Sequence, residues 1–386
     1  MPLTRRAFEI AALAVAFAVL GVMGWRLLEA HGLLLADGQP VFGDFIAFWS
    51  AGRAVLEGHA AQVHDAALIA DYHQQAVPGV AYVAPWNSPP PFLLIATPLA
   101  LLPFPLAALT WLALSGALYV VAARKLLPDA RALLFALTLP AALYHLGSVQ
   151  TGLWIAGVTG LALYWLDTRP RLAGSLVALL AIKPHMAVLW PLFLALTGRW
   201  RAFLAAAIAT LAFLALAGFA FGFDSYTRFF ATITATQDLV TSQRITTPAY
   251  ATLYASLLGF GAPQSVAMGA QALSAIAAIG VAGWIWMRKP PPAIGGAVLC
   301  AATLAALPYA FFYDFTLLAV GAALLGAPRD RLELAALVLA WSAGLSIALG
   351  YLAPLPLCPA AAWMVLIVAL RRAGNAAARR APAPPP

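Results

Sequence analysis

Apolar runs recur along almost the whole chain, at roughly 10–28, 91–122, 132–146, 152–166, 172–182, 186–197, 202–222, 265–287, 293–308, 311–326, 332–350 and 354–370. Only 9% of the 386 residues are charged, against 63% hydrophobic. A soluble domain carries about 25% charged residues, so this chain could not cover an aqueous surface with its own polar groups. It reads as an all-α polytopic membrane protein. A β-barrel would need short alternating segments closed into a ring, whereas these runs are long and rich in Ala and Leu, the strongest helix formers. No stretch is left for a separate aqueous domain. Residues 1–372 are expected to form one integrated transmembrane domain, with a disordered cytoplasmic tail at 373–386.

Charge placement orients the bundle. Several runs are shorter than the roughly 20 residues that cross a bilayer core, and about twelve crossings (ten to thirteen) with the N-terminus inside fit the flanks best. Seventeen basic and five acidic residues then lie on the cytoplasmic side, and five basic and nine acidic residues outside. That asymmetry follows the positive-inside rule. The net charge of +8 is explained by orientation and needs no nucleic acid partner. Arg5 and Arg6 precede the first run, which Gly24-Trp25-Arg26 continues without a small-residue cleavage site, so it reads as an uncleaved anchor. Cys300 and Cys358 fall in or near apolar runs and suggest neither a disulfide framework nor a metal site.

Two stretches, 29–90 and 223–264, are too long and polar for turns, and both are assigned to the outer face. The six histidines, His31, His59, His64, His73, His145 and His185, lie there or at outer helix ends. The outer face is therefore the expected working face. Residues 41–58 have helical spacing, with Phe45, Phe48, Trp49, Gly52 and Leu56 on one side. They read as an amphipathic helix at the interface, its aromatics toward lipid or the bundle. Asp44 at its mouth is either a helix cap or a catalytic base. The roles conflict, because a carboxylate tied to amides is a weaker base. Asp65 reads as the cap of a second short helix.

Further candidates share that face. Trp86 and Asn87 offer a ring face and an amide to a sugar, or simply accompany Pro89-Pro90-Pro91 into the next span. Gln150 lies in the turn between the third and fourth spans. The runs 172–182 and 186–197 are separated by Ile182-Lys183-Pro184-His185, a tight hairpin or a broken helix, since proline removes a donor and restricts its neighbour. Lys183 is costly in hydrocarbon. It either snorkels or meets a phosphate as a point charge, with His185 beside it. Asp314, in an aromatic run after Tyr313, is a functional acid or one neutralised by a Lys or Arg. Arg228 and Arg244 would serve a phosphate or anionic lipid. No P-loop, dinucleotide fingerprint or metalloprotease histidine pair is present, and the histidines lack structural-zinc spacing.

An ordered set of motifs runs from about 41 to 316: Gly43-Asp44-Phe45 with Trp49 and Ala51-Gly52-Arg53-Ala54; Trp86 with Ser88-Pro89-Pro90; Pro98-Leu99-Ala100-Leu101-Leu102-Pro103; Gln150; Ala173-Gly174 through Ile182-Lys183-Pro184; and Pro308-Tyr309 with Tyr313-Asp314. In this the chain resembles glycosyltransferase family 87, GT-C-type enzymes that include polyprenyl-phosphate-mannose-dependent α-1,2-mannosyltransferases. It departs at Val149, where the family commonly has Gly, and at His185, where Gln is common.

The resemblance implies a GT-C-like bundle in a bacterial-type plasma (inner) membrane, both termini cytoplasmic. It implies a polyprenyl-phosphate sugar donor, a glycan or glycolipid acceptor, and an acid near the reaction centre that corresponds to Asp44. On that reading Asp44 takes the acceptor proton and the anomeric configuration inverts. Lys183, with Arg228 or Arg244, would hold the leaving phosphate. A lipid monophosphate leaving group does not demand a metal, and no cofactor is expected. The rival class is a transporter or flippase using the same broken helix, but no repeated halves are evident and the polar groups crowd one face. For orientation, we predict that cysteine labelling from outside reaches a residue introduced at Gln75 and misses positions near Arg124 and Ala377; labelling at Ala377 would reverse the topology.

Overall fold

A computed structural model describes the backbone at residues 2–81, 84–127, 129–242, 250–346 and 355–378. Hydrocarbon offers no partners to backbone amides, so an apolar chain satisfies them within helices, and among the described residues no β-strand forms. The first polar stretch holds two helices after the N-terminal one: α1 (Pro2–Leu28), α2 (Phe45–Leu56) and α3 (Ala66–Ala76). Then follow α4 (Pro90–Leu99), α5 (Phe104–Leu126), α6 (Ala130–Leu137), α7 (Pro140–Leu143), α8 (His145–Ser148), α9 (Gly152–Trp165), α10 (Pro170–Val177), α11 (Trp190–Leu196) and α12 (Trp200–Phe221). The second polar stretch contains α13 (Asp224–Ser242) and α14 (Leu253–Gly259). The chain closes with α15 (Gln264–Met287), α16 (Pro292–Ala306), α17 (Thr316–Leu325), α18 (Arg331–Ser342) and α19 (Leu357–Ala378).

Among the described residues, five helices are long and apolar enough to cross a membrane: Glu9–Leu28, Phe104–Leu126, Trp200–Phe221, Gln264–Met287 and Leu357–Ala376. With the shorter apolar helices between them, they make this a multi-pass membrane protein. Several expected spans are not continuous. The run 91–122 breaks between α4 and α5, where Pro98, Pro103 and Pro105 crowd one junction; proline lacks an amide donor and disfavours helix before it. The two pieces take different neighbours, α4 packing on α2 and α12 and α5 on α9. The run 132–146 breaks around Pro140 into α6, α7 and α8. Helix α19 continues to Ala378, past the expected start of a disordered tail; 379–386 and the end of the run 332–350 lie outside the described residues.

The core is close-packed through small residues, which let membrane helices approach. A Cβ on Gly174 of α10 would stand 2.2 Å from the carbonyl oxygen of Ala202 on α12. Helix α16 ends where its last carbonyls are met by polar side chains of α15: Gln271 Nε2 donates to Ala305 and Ala306, and Ser274 Oγ to Ala305 at 2.9 Å. Helix α1 packs on α7 and leaves Ile10, Phe17, Trp25 and Leu28 exposed.

A charged knot fastens the end expected to face the cytoplasm. Arg372 of α19 donates to Glu333 of α18 at 3.0 and 2.6 Å, to the Ala327 carbonyl at 3.0 Å, and to the Leu325 carbonyl. Both side chains are almost fully buried. Removing one partner of such a pair strands the other charge, at a cost of about 3–5 kcal/mol, whereas replacing both by apolar groups is often neutral. We therefore predict that Arg372→Met lowers the thermal midpoint of the detergent-extracted protein markedly, and that adding Glu333→Leu restores most of it. Equal midpoints for wild type and Arg372→Met would contradict this.

Candidate active site

Two segments distant in sequence meet at Asp44. Gly43 has φ +45°, and a Cβ there would lie 2.8 Å from Ser148 Cα and 2.9 Å from the Gly147 oxygen. The turn therefore rests directly on the segment ending α8, and glycine alone has both the conformation and the room. On the opposite side Val149 is left-handed (φ 50°, ψ 42°), a conformation rare for a β-branched residue, and it is fully buried. The result sets Gln150 Nε2 2.8 Å from Asp44 Oδ2, donating to it. The other end of the amide, Oε1, accepts from Thr151 N at 3.3 Å.

Asp44 occupies the N-cap position of α2, yet its side chain makes no capping bond. The first amides of α2 are already satisfied by the preceding turn: Phe45 N to Phe42 O at 3.1 Å, Ile46 N to Gly43 O at 3.4 Å and Ala47 N to Asp44 O at 3.1 Å. Tight turn bonds of this kind remove the need for a side-chain cap. Of the two settings expected for the aromatics of α2, lipid or bundle, they take the bundle: Phe45 to Gly52 and Ala54 are all buried, under α3, α4 and α5, while Leu56 stays exposed. By contrast Asp65 does cap α3, accepting from Ala67 N and Leu68 N.

The second element of the site is a buried ion pair. Helix α10 tightens into a 3-10 turn at Ala178–Ile182, and the chain breaks at Lys183 (φ −144°, ψ 72°) before a second 3-10 turn at Pro184–Ala187. Lys183 Nζ reaches both oxygens of Asp314, at 2.5 and 2.7 Å. Asp314 is fully buried and Lys183 nearly so. Asp314 Oδ2 also accepts from Phe311 N at 3.0 Å. The ammonium lies 4.9 Å from the Tyr313 ring centroid, a cation–π distance.

Aromatic and imidazole groups close around this pair. His185 packs edge-on to Tyr309 at 6.1 Å and His145 to Tyr313 at 5.7 Å. Among the described residues neither Nε2 has a hydrogen-bond partner. His145 Nδ1 donates to Ala141 O at 2.9 Å. Tyr309 and Tyr250 share a phenol–phenol hydrogen bond, with rings 5.4 Å apart. Burial, followed by Tyr250, Asp314 and Asp44, holds the Tyr309 phenol well above its ordinary range. Tyr309 therefore stays protonated and acts as a donor, and both carboxylates lie within electrostatic reach of it.

Other candidates are placed elsewhere. Trp86 is a core residue, stacked on Phe92 at 5.4 Å and edge-on to Phe48 at 6.2 Å, with half-buried Asn87 next to it. Arg228 pairs with Asp224 at 3.0 Å on the exposed side of α13. Arg244 lies outside the described residues. His73 is buried between Ser50 and the Ala84 backbone, and burial lowers it to about 4, so it is a neutral staple. Tyr250 was not marked by any local pattern. It arrives because Ala251 N donates to Ala310 O at 2.9 Å, in a short antiparallel bridge between Tyr250 and Phe311. Among the described residues no group of three or more His, Cys, Asp or Glu side chains is placed to hold a metal ion.

The family model described as Glycosyltransferase family 87 matches residues 86–310, more than half of the chain. Comparison with curated proteins and with solved structures gives no match. Gln150, Lys183, His185 and Tyr309 lie inside the matched segment, and Asp44, Tyr313 and Asp314 outside it.

The ion pair makes a direct prediction. Lys183→Met leaves the fully buried Asp314 unpaired and should destabilise the extracted protein by about 3–5 kcal/mol, whereas Lys183→Met with Asp314→Leu should recover most of that loss. Additive losses in the thermal midpoints of the double variant would show that the two side chains do not interact.

Proposed function

The chain belongs to glycosyltransferase family 87, whose members are membrane glycosyltransferases, and from that premise we propose a specific reaction. It moves a hexose, mannose being the first choice, from a polyprenyl-phosphate sugar to a glycan or glycolipid hydroxyl at the extracytoplasmic face, inverting the anomeric configuration. The observation that carries the reading is Asp44: a carboxylate at a helix mouth, released from capping and held by Gln150.

In this reaction Asp44 removes the proton of the acceptor hydroxyl as its oxygen attacks the anomeric carbon opposite the phosphate. The bond between that carbon and the phosphate oxygen breaks, and the lipid phosphate leaves with the electron pair. Asp314 is a poor alternative base, since Lys183 takes both its oxygens and Phe311 N shares one. An ammonium has three N–H donors; with two on Asp314, one is left for a phosphate oxygen. Tyr309, kept protonated by its surroundings, has one O–H, and it serves sugar or phosphate as a neutral donor when the substrate takes the place of Tyr250 as its acceptor. Fixed donors aimed at developing charge stabilise a transition state without reorganising.

Asp44→Asn keeps the size of the side chain and removes its basicity. We expect single-turnover transfer from a polyprenyl-phosphate sugar to fall by roughly 10²–10⁴-fold, with donor affinity and thermal midpoint close to wild type. Turnover near wild type would remove Asp44 as the base, and activity with a nucleotide sugar alone would remove the lipid donor.

A further inference from the structure

We infer that Gln150 is a positioning residue for the reaction, orienting the carboxylate of Asp44 toward the acceptor, and is not itself a contact to the sugar. The inference rests on the assignment of Asp44 as base and extends it to Gln150, a residue of the outer turn that is also a candidate substrate contact.

Three features of the contact support it. First, the amide has a defined direction. An ionised carboxylate only accepts hydrogen bonds, so the NH₂ end must face Asp44 Oδ2, where it lies 2.8 Å away. The oxygen end is held by Thr151 N, the amide of the next residue, at 3.3 Å. Both ends of the side chain are thus engaged by protein, one by the base and one by the turn that carries it.

Second, the backbone on both sides is built for this approach. Gly43 is left-handed and leaves no room for a Cβ against Ser148. Val149 is also left-handed, at φ 50°, although its branched side chain disfavours that region. A conformation of this kind is costly and persists only where its surroundings over-determine it. Here the surroundings are full burial of Val149 and the contact that the turn delivers one residue later.

Third, the contact has a chemical consequence. Asp44 is half-buried at the mouth of α2. Burial favours the protonated acid, whereas a donor on the carboxylate favours the charged form that a general base requires. The other titratable groups nearby are Tyr309 with Tyr250 and the Lys183–Asp314 pair with His145 and His185. The pair is internally neutral, and the phenols are protonated, while Gln150 donates to Asp44 itself, so its removal acts on the carboxylate directly.

The test is the pH profile of single-turnover transfer by the purified full-length protein, with polyprenyl-phosphate mannose as donor, for wild type, Gln150→Leu, Gln150→Glu and Asp44→Asn. Gln150→Leu should move the acid limb upward by about one pH unit and lower the plateau by about 10–10²-fold, the scale of a misplaced group, while leaving donor KM unchanged. Gln150→Glu keeps the shape of the side chain, so the turn is preserved, and should move the limb further because two facing acids share a proton. A raised donor KM with an unmoved limb in both variants would overturn the inference and make Gln150 a substrate contact. Asp44→Asn with wild-type turnover would instead remove the base assignment, and the positioning role with it.

Discussion

A lysine at the edge of a membrane span needs a partner, and the Lys183–Asp314 pair is the interaction around which the remainder of the site is arranged. Lys183 stands where the helix after α10 fails before Pro184, so it reaches inward without a regular helix beneath it. Asp314 begins the last segment before α17, and its second oxygen also fixes Phe311 N. One ion pair therefore ties a break in the middle of the chain to an aromatic hairpin far along it. Phe311 and Tyr313 then take their places around the ammonium, Tyr309 packs edge-on to Phe311, and the bridge from Tyr250 to Phe311 draws in the end of the second polar stretch.

The Asp44–Gln150 contact works in parallel and has the same logic. Each contact joins a residue inside the family-matched segment to one outside it: Gln150 to Asp44, and Lys183 to Asp314. The matched segment alone would hold an amide and an ammonium without the carboxylates that they orient. The two carboxylates have opposite settings. Asp314 is neutralised and buried, while Asp44 is held by a neutral donor. On the proposed mechanism, environment thus divides two like groups into an anchor and a base, in the way that differing surroundings separate the roles of paired acids elsewhere.

Much of this could be seen in the chain before its fold. Long Ala- and Leu-rich runs imply helices because hydrocarbon leaves backbone groups no other partner, and Lys183-Pro184 implies a break because proline cannot continue the ladder. Asp65 reads as a cap and is one. The sequence leaves the aromatics of α2 a choice between lipid and bundle, because lipid and protein interior select the same apolar side chains. Ala47, Ala51 and Ala54 look like filler but lie against neighbouring helices. The split between α4 and α5 was hidden by an unbroken apolar run, although Pro98 and Pro103 mark it in retrospect. Tyr250 could not be told from spacing, because its place depends on a long-range backbone bridge, whereas Asp224 four residues before Arg228 is a pairing that helical spacing allows and the structure makes.

In the proposed mechanism one carboxylate, Asp44, acts as base and no second acid attacks the sugar. A retaining displacement needs a second acid free to act as nucleophile, and in this cluster Lys183 holds the other one. The direct measurement is the anomeric configuration of the newly formed linkage, read by NMR on product made by the purified protein from a lipid-phosphate sugar of defined anomeric form. Inversion relative to the donor is the predicted result. Retention would contradict the single displacement and require Asp314, or another nucleophile, to be released during the reaction.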